Sequence, residues 1–128
     1  MGQRSPFSGS DSAPIRTAST DIDNILDELI TYVKRFKCPF ELDFPTNTED
    51  GLILLNNEKN RPFIDQLRRF DGLRTRLAEI QTHDDEQLEA KRRATNVAIG
   101  RALFRMKEHQ LKLYHQYTEA NVHRPGRI

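Results

Sequence analysis

Two long amphipathic runs in this chain are separated by only three residues, Thr82-His83-Asp84. Before the break, Phe63, Leu67, Phe70, Leu73, Leu77 and Ile80 recur every three or four positions. After it, Leu88, Thr95, Ile99, Ala102, Met106, Leu113 and Tyr117 trace a second stripe. Both have the helical period, which predicts helices near 62–81 and 85–118. A link this short permits only a tight reversal, so the two helices run antiparallel. Pro62 suits the first turn of the earlier helix. Asp84, Asp85 and Glu86 suit the first turn of the later one, where free N–H groups and the macrodipole favour negative charge. Gly72 should weaken its helix by about 1 kcal/mol relative to Ala and allow a bend or a close neighbour.

A third amphipathic run, Ile22, Ile25, Leu26, Leu29, Val33 and Phe36, predicts a helix near 20–37. Ser19 or Thr20 would be its N-cap, and Cys38-Pro39 would end it. Residues 39–61 form a long connection whose Phe40, Phe44 and LILL run pack over the helices as an Ω-like lid, or extend briefly as strand. Residues 1–18 are rich in Ser, Gly, Pro and Asp without period and read as a disordered tail. Residues 119–128, with Pro125-Gly126, read as a flexible one. The expected fold is all-α: an up-down-up three-helix bundle over 19–118, with a long third helix overhanging the others. Leu29, Val33, Leu67, Phe70, Leu77, Ile99 and Leu103 form its expected core.

Chemistry-bearing motifs are scarce. Neither GxGxxG nor GxxxxGK[ST] occurs, and TNTEDG lacks the spaced oxygens and closing Glu of a calcium loop. His83, Asp84, Asp85 and Glu86 have no second His four residues away, so a helix cap is the better reading than a metal site. His109 and His115 point to different sides of a helix, and Cys38 has no neighbouring base. No enzyme activity, cofactor or metal is expected. Twenty basic residues against nineteen acidic ones give no reason to expect nucleic acid. No apolar run approaches a membrane span, and MGQRSP fails as a myristoylation site. With one cysteine and no signal-peptide pattern, a cytoplasmic protein is expected.

The third helix is locally basic. Lys91, Arg92, Arg93, Arg101, Arg105, Lys107 and Lys112 stand against Glu86, Glu89 and Glu108. A solvated face, with Glu89 pairing to Arg92 or Arg93, accounts for this at a few tenths of a kcal/mol. Docking on an acidic protein surface would use arginine's bidentate fork. Nucleic-acid binding is disfavoured, because no aromatics interleave with the bases.

The segment LAEIQTHDDEQLEAKRRATNVAIGRAL, Leu77 to Leu103, resembles the end of a BAG domain. Leu77, Ile80, Asp85, Leu88, Arg92-Arg93 and Ile99 fall in step with that pattern. FKCPFELDF (Phe36–Phe44) and NEKNRPF (Asn57–Phe63) resemble the approach to the second helix in fungal BAG-like proteins. The resemblance covers roughly residues 22–110. It implies a three-helix bundle whose second and third helices grip the nucleotide-binding domain of a seventy-kilodalton heat-shock chaperone of the DnaK type, opening its cleft to release ADP. It also implies that Arg92 is the chaperone-contacting residue, with Arg93 flanking it. Three positions depart from the family. Ala78 stands where its acid ends the second helix, and Gly100 replaces its Gln. A further acid would fall on Arg68, or on Asp65 or Asp71 in another register. If Arg92 serves this role, it should be exposed and not engaged in an internal ion pair. The alternative is a non-catalytic helical adaptor for another acidic or helical partner.

Overall fold

The computed structural model describes residues 13–46 and 51–122. It contains α1 (Ala13–Arg35), α2 (Arg61–Ala78) and α3 (Glu86–Val122), each packed against the other two. The fold is an all-α, up-down-up three-helix bundle with no strand among the described residues.

α1 begins at Ala13, not near residue 20. Pro14 sits in its first turn, where a missing N–H leaves no bond unmade. Residues 13–18, read from sequence as tail, are therefore helical, and residues 1–12 lie outside the described residues. Ser19 caps nothing, because its hydroxyl accepts a hydrogen bond from Lys91 Nζ at 2.6 Å. The buried face runs Ala18, Ile22, Ile25, Leu29 and continues through half-buried Tyr32 and Phe36. Val33 is 45% exposed and does not belong to the core. From Leu29, a step of three or of four is equally helical. The step of three prevails because α2 receives Tyr32: Arg69 lies over its ring at 5.8 Å, and Gln66 donates to its carbonyl oxygen at 2.9 Å.

α2 buries Phe63, Gln66, Phe70, Leu73 and Leu77, with Leu67 half-buried beside them. It ends at Ala78, three residues before the expected limit. A Cβ at Gly72 would meet nothing within 4 Å, so no neighbour requires glycine there. Gly72→Ala is accordingly expected to stabilise the fold by about 0.5–1 kcal/mol. Thermal unfolding checks this, and a lower melting temperature would refute it.

The reversal into α3 places His83 (φ 52°) and Asp84 (φ 58°) in the left-handed region. Two consecutive residues there are costly for any side chain, and His and Asp are among those that tolerate it best. Asp85 is the N-cap: its carboxylate accepts from the Leu88 N–H at 2.9 Å and its carbonyl from the Glu89 N–H at 2.9 Å. Asp84 thus serves the turn and not the first helical turn.

α3 has 37 residues, about 55 Å of helix, and extends into the segment read as a C-terminal tail. Residues 123–128 lie outside the described residues. Its first half packs on α1 and α2 through Leu88, Ile99, Ala102, Leu103 and Met106. Its second half does not overhang freely, because the connection between α1 and α2 lies along it. Buried Phe44 meets Tyr114 edge-on, with ring centroids 5.2 Å apart, and the tilted ring of Tyr117 at 5.6 Å. Gln110 Nε2 donates to Gly51 O at 2.6 Å, and His109 Nε2 lies 2.8 Å from Pro39 O. A Cβ on Gly51 would fall 2.6 Å from Tyr114 Cβ, so only glycine permits this approach. Of the LILL run only Leu54 turns inward, while Phe40 is fully outside.

Asn60 fastens the connection. Fully buried, it accepts from the Asp43 N–H at 2.8 Å and donates to Asp43 O at 2.7 Å and Leu55 O at 2.8 Å. Asn57 supports it from both sides, accepting from the Asn60 N–H at 3.0 Å and donating to the Asp43 carboxylate at 2.8 Å. Among the described residues of this segment the only backbone pairing is Leu55 N–H to Asp43 O at 3.2 Å, too little to make a strand.

Candidate docking face between α2 and α3

The basic run 91–93 separates three ways. Lys91 points to α1, where Nζ pairs with Asp23 at 2.8 Å and binds Ser19. Arg92 points to the exit of α2: Nη1 donates to Ile80 O at 3.0 Å and Nη2 to Glu89 Oε1 at 3.2 Å. Arg93 is exposed. Helical geometry causes the division, because each successive side chain turns by about 100° and α1 and α2 pack on neighbouring sectors of α3.

This corrects the expectation for Arg92. Its side chain is 30% exposed and engaged internally. The Ile80 carbonyl lies past the last turn of α2 and has no helical donor, so the guanidinium supplies one. Glu89 completes the arrangement by accepting from the Thr82 hydroxyl at 2.6 Å. That hydroxyl, and after it the charges of Arg92 and Arg93, hold the Glu89 carboxyl below its ordinary range against the opposing effect of burial. Arg92 therefore joins the two ends of the helical reversal. Arg92→Ala is expected to lower stability by about 1 kcal/mol, measured by chemical denaturation. An unchanged midpoint would mean the Ile80 contact is idle.

A groove of about 350 Å³ opens beside this junction, lined by Arg74, Leu77 and Ala78 from α2 and by Glu89, Arg92 and Arg93 from α3. Three positions singled out from sequence, Ala78, Arg92 and Arg93, thus share one concavity. Gly100 lies further along α3, where an added Cβ would meet, beyond its own turn of helix and among the described residues, only Arg74 Nη2, at 3.7 Å. Asp71 and Arg68 are exposed on α2 and do not line the groove. Asp71 stands two turns before Ala78 on the same face, whereas Arg68 is rotated further toward solvent. Arg74 was not anticipated. It is one position in an arginine-rich helix, and only the approach of Gly100 marks it out.

The groove offers guanidinium donors and a short apolar wall. It holds no nucleophile with an adjacent base. Among the described residues no three His, Cys, Asp or Glu side chains converge to hold a metal ion, and Cys38 is exposed and free. Elsewhere the charges are mostly structural. Arg76 bridges to Glu28 with two bonds, at 2.9 and 2.8 Å, and this contact chiefly holds the Glu28 carboxyl below its ordinary range. Lys59 pairs with Glu41 and Asp43 on the connection. Two larger open grooves flank α1 at its two ends, of about 880 and 800 Å³, and both mix acids with bases. Among the described residues no helix is long and apolar enough to cross a membrane. No known protein family, curated protein or solved structure matches the chain.

Proposed function

We infer that this protein is a non-catalytic docking module of the BAG type. It binds the nucleotide-binding domain of a seventy-kilodalton heat-shock chaperone through α2 and α3 and promotes ADP release. The observation that carries the reading is the α2–α3 groove, where Ala78, Arg92 and Arg93 meet with a local excess of positive charge. A cationic groove on two rigid helices suits an acidic lobe, since guanidinium groups form bidentate bonds to carboxylates. The roles of the two arginines differ from the family's pattern: Arg93 reaches outward, and Arg92 holds the helix junction that presents it. The reading includes a cytoplasmic setting, in which Cys38 stays reduced.

Titration calorimetry against a purified chaperone nucleotide-binding domain, with and without nucleotide, tests the proposal. Arg93→Ala is expected to weaken binding by about 1–3 kcal/mol through loss of a charge-assisted hydrogen bond, with the melting temperature unchanged. Ala78→Asp combined with Gly100→Gln restores the family's groups and is expected to strengthen binding and ADP release. No binding by the native chain, or equal binding by Arg93→Ala, would overturn the reading. A second reading, an adaptor for a different acidic or helical partner, is favoured by the exposed Val97, Phe104 and Leu111 on α3, which a purely charged contact leaves unused.

A further inference from the structure

Val97, Phe104 and Leu111 stand seven residues apart on α3 and are 46%, 61% and 36% exposed. A seven-residue step falls only about 20° short of two full helical turns, so the three side chains form one line roughly 21 Å long. The line lies opposite the face that buries Leu88, Ile99 and Met106. Single apolar residues on a surface are ordinary, whereas three in register on one rigid helix make a seam. Gly100 sits between Val97 and Phe104 and leaves a notch, bounded only by the tip of Arg74. Phe104 borders that notch as the largest and most exposed member of the line.

Charge decides what covers this seam. Arg93 and Lys107 lie along its side toward α2, with Arg74 reaching from α2, and Arg101 lies along the other side. None of these four cations is in an ion pair among the described residues, whereas Lys59, Arg76, Lys91 and Arg92 all are. Between Val97 and Leu111, Glu108 is the single acid on α3. A second copy of this chain laid on the seam would set cation against cation, which opposes self-association. A helix with one apolar stripe and carboxylates along its edges fits both features. Its anchors at i, i+7 and i+14, with i+3 or i+4 positions between them, would meet Val97, the Gly100 notch with Phe104, and Leu111. Its acids would face Arg93, Lys107 and Arg101.

We propose that the outer face of α3 binds an acidic amphipathic helix from another protein, with Phe104 as the apolar anchor and the flanking cations selecting its charge. This rests on the reading of the protein as a docking module and does not depend on the chaperone. The test uses fluorescence anisotropy of three labelled peptides: a Leu/Glu amphipathic helix, its Leu/Lys counterpart, and a scrambled Leu/Glu sequence. The Leu/Glu helix is expected to bind at least tenfold more tightly than either control, and less tightly at high salt. Phe104→Ala is expected to reduce that binding at least tenfold with the melting temperature unchanged. Arg101→Glu together with Lys107→Glu is expected to reverse the preference toward the Leu/Lys peptide. Equal binding of the three peptides, or indifference to Phe104→Ala, overturns the proposal. So does a dimer in sedimentation that Phe104→Glu dissolves, because the occupant is then a second copy. No chaperone is present in this assay. Failure of chaperone binding alone removes the proposed function, and failure of the peptide arm alone removes this inference.

Discussion

Leu77→Ala is expected to destabilise the protein by about 2–5 kcal/mol, a large share of the 5–15 kcal/mol that holds a domain of this kind together. Leu77 is 1% exposed and lies in the last full turn of α2, within the core cluster shared by the three helices. Truncation there removes the transfer free energy of three carbons and leaves a cavity at a helix end already fixed by Arg92. The surroundings are thereby prevented from collapsing into the space, which favours the upper part of the range. Urea denaturation measures the effect as a lowered midpoint with the slope unchanged. Val33→Ala is the matched control. With Val33 nearly half exposed, its loss should fall within about 0.5 kcal/mol of neutral. If the two substitutions cost the same, the assignment of faces on α1 and α2 is wrong.

Asn60→Ala is expected to cost about 2–4 kcal/mol, although it removes fewer apolar contacts than Leu77→Ala. The side chain satisfies the Asp43 N–H, the Asp43 carbonyl and the Leu55 carbonyl together, and each buried polar group left unpaired costs about 1–3 kcal/mol. Solvent reaching Leu55, which is exposed, tempers that sum. Asn60→Asp separates chemistry from packing. It preserves volume and the acceptor for the Asp43 N–H, yet places a carboxylate where two carbonyls need donors. Asp should therefore be no better than Ala. An Asn60→Asp protein as stable as the native one would sink this account. Limited proteolysis supplies a local readout, because both variants should become cleavable within 51–59 while the helices stay intact.

The bundle itself was legible because three long apolar periods and a three-residue break leave few other arrangements. The errors in detail have identifiable causes. Val33 and Tyr32 are both compatible with a helical stripe beginning at Leu29, and only the seat that Gln66 and Arg69 make on α2 decides between them. Ser19 has the composition of a cap, but its partner is Lys91 from a helix 72 residues later in the chain. Asn60 stands immediately before α2, next to the boundary that Pro62 marks. Its wider role depends on Asp43 and Leu55 coming within reach, which no local pattern encodes.

The candidate site was legible in part for the same reason. The spacing of Ala78 and Arg92-Arg93 about a short reversal brings them to one groove, as an antiparallel pair of helices requires. Which arginine faces out was not legible. Adjacent positions differ by about 100° of rotation, and the deciding contact is a backbone carbonyl, Ile80 O, that has no sequence signature. Arg74 was missed because its significance lies in the absent side chain opposite it at Gly100. The seam of Val97, Phe104 and Leu111 was equally obscured, since on a helix with apolar residues on two sides the buried stripe dominates the period.

The seating of the connection on the far half of α3 divides that single helix between two cooperative units. Its proximal half is protected by contacts with α1 and α2. Its distal half is protected by Phe44, Gly51 and Pro39, on a segment with little regular backbone bonding of its own. Sub-global opening should therefore release the connection and the distal half together, while the proximal hairpin stays closed. Amide hydrogen exchange would then fall into two tiers along one continuous helix, with slow exchange around Ile99 to Met106 and faster exchange around Leu113 to Thr118. The hairpin of α2 and α3, closed by a short loop, is also the part with the least chain entropy to overcome, so it is the natural nucleus from which the rest of the bundle condenses.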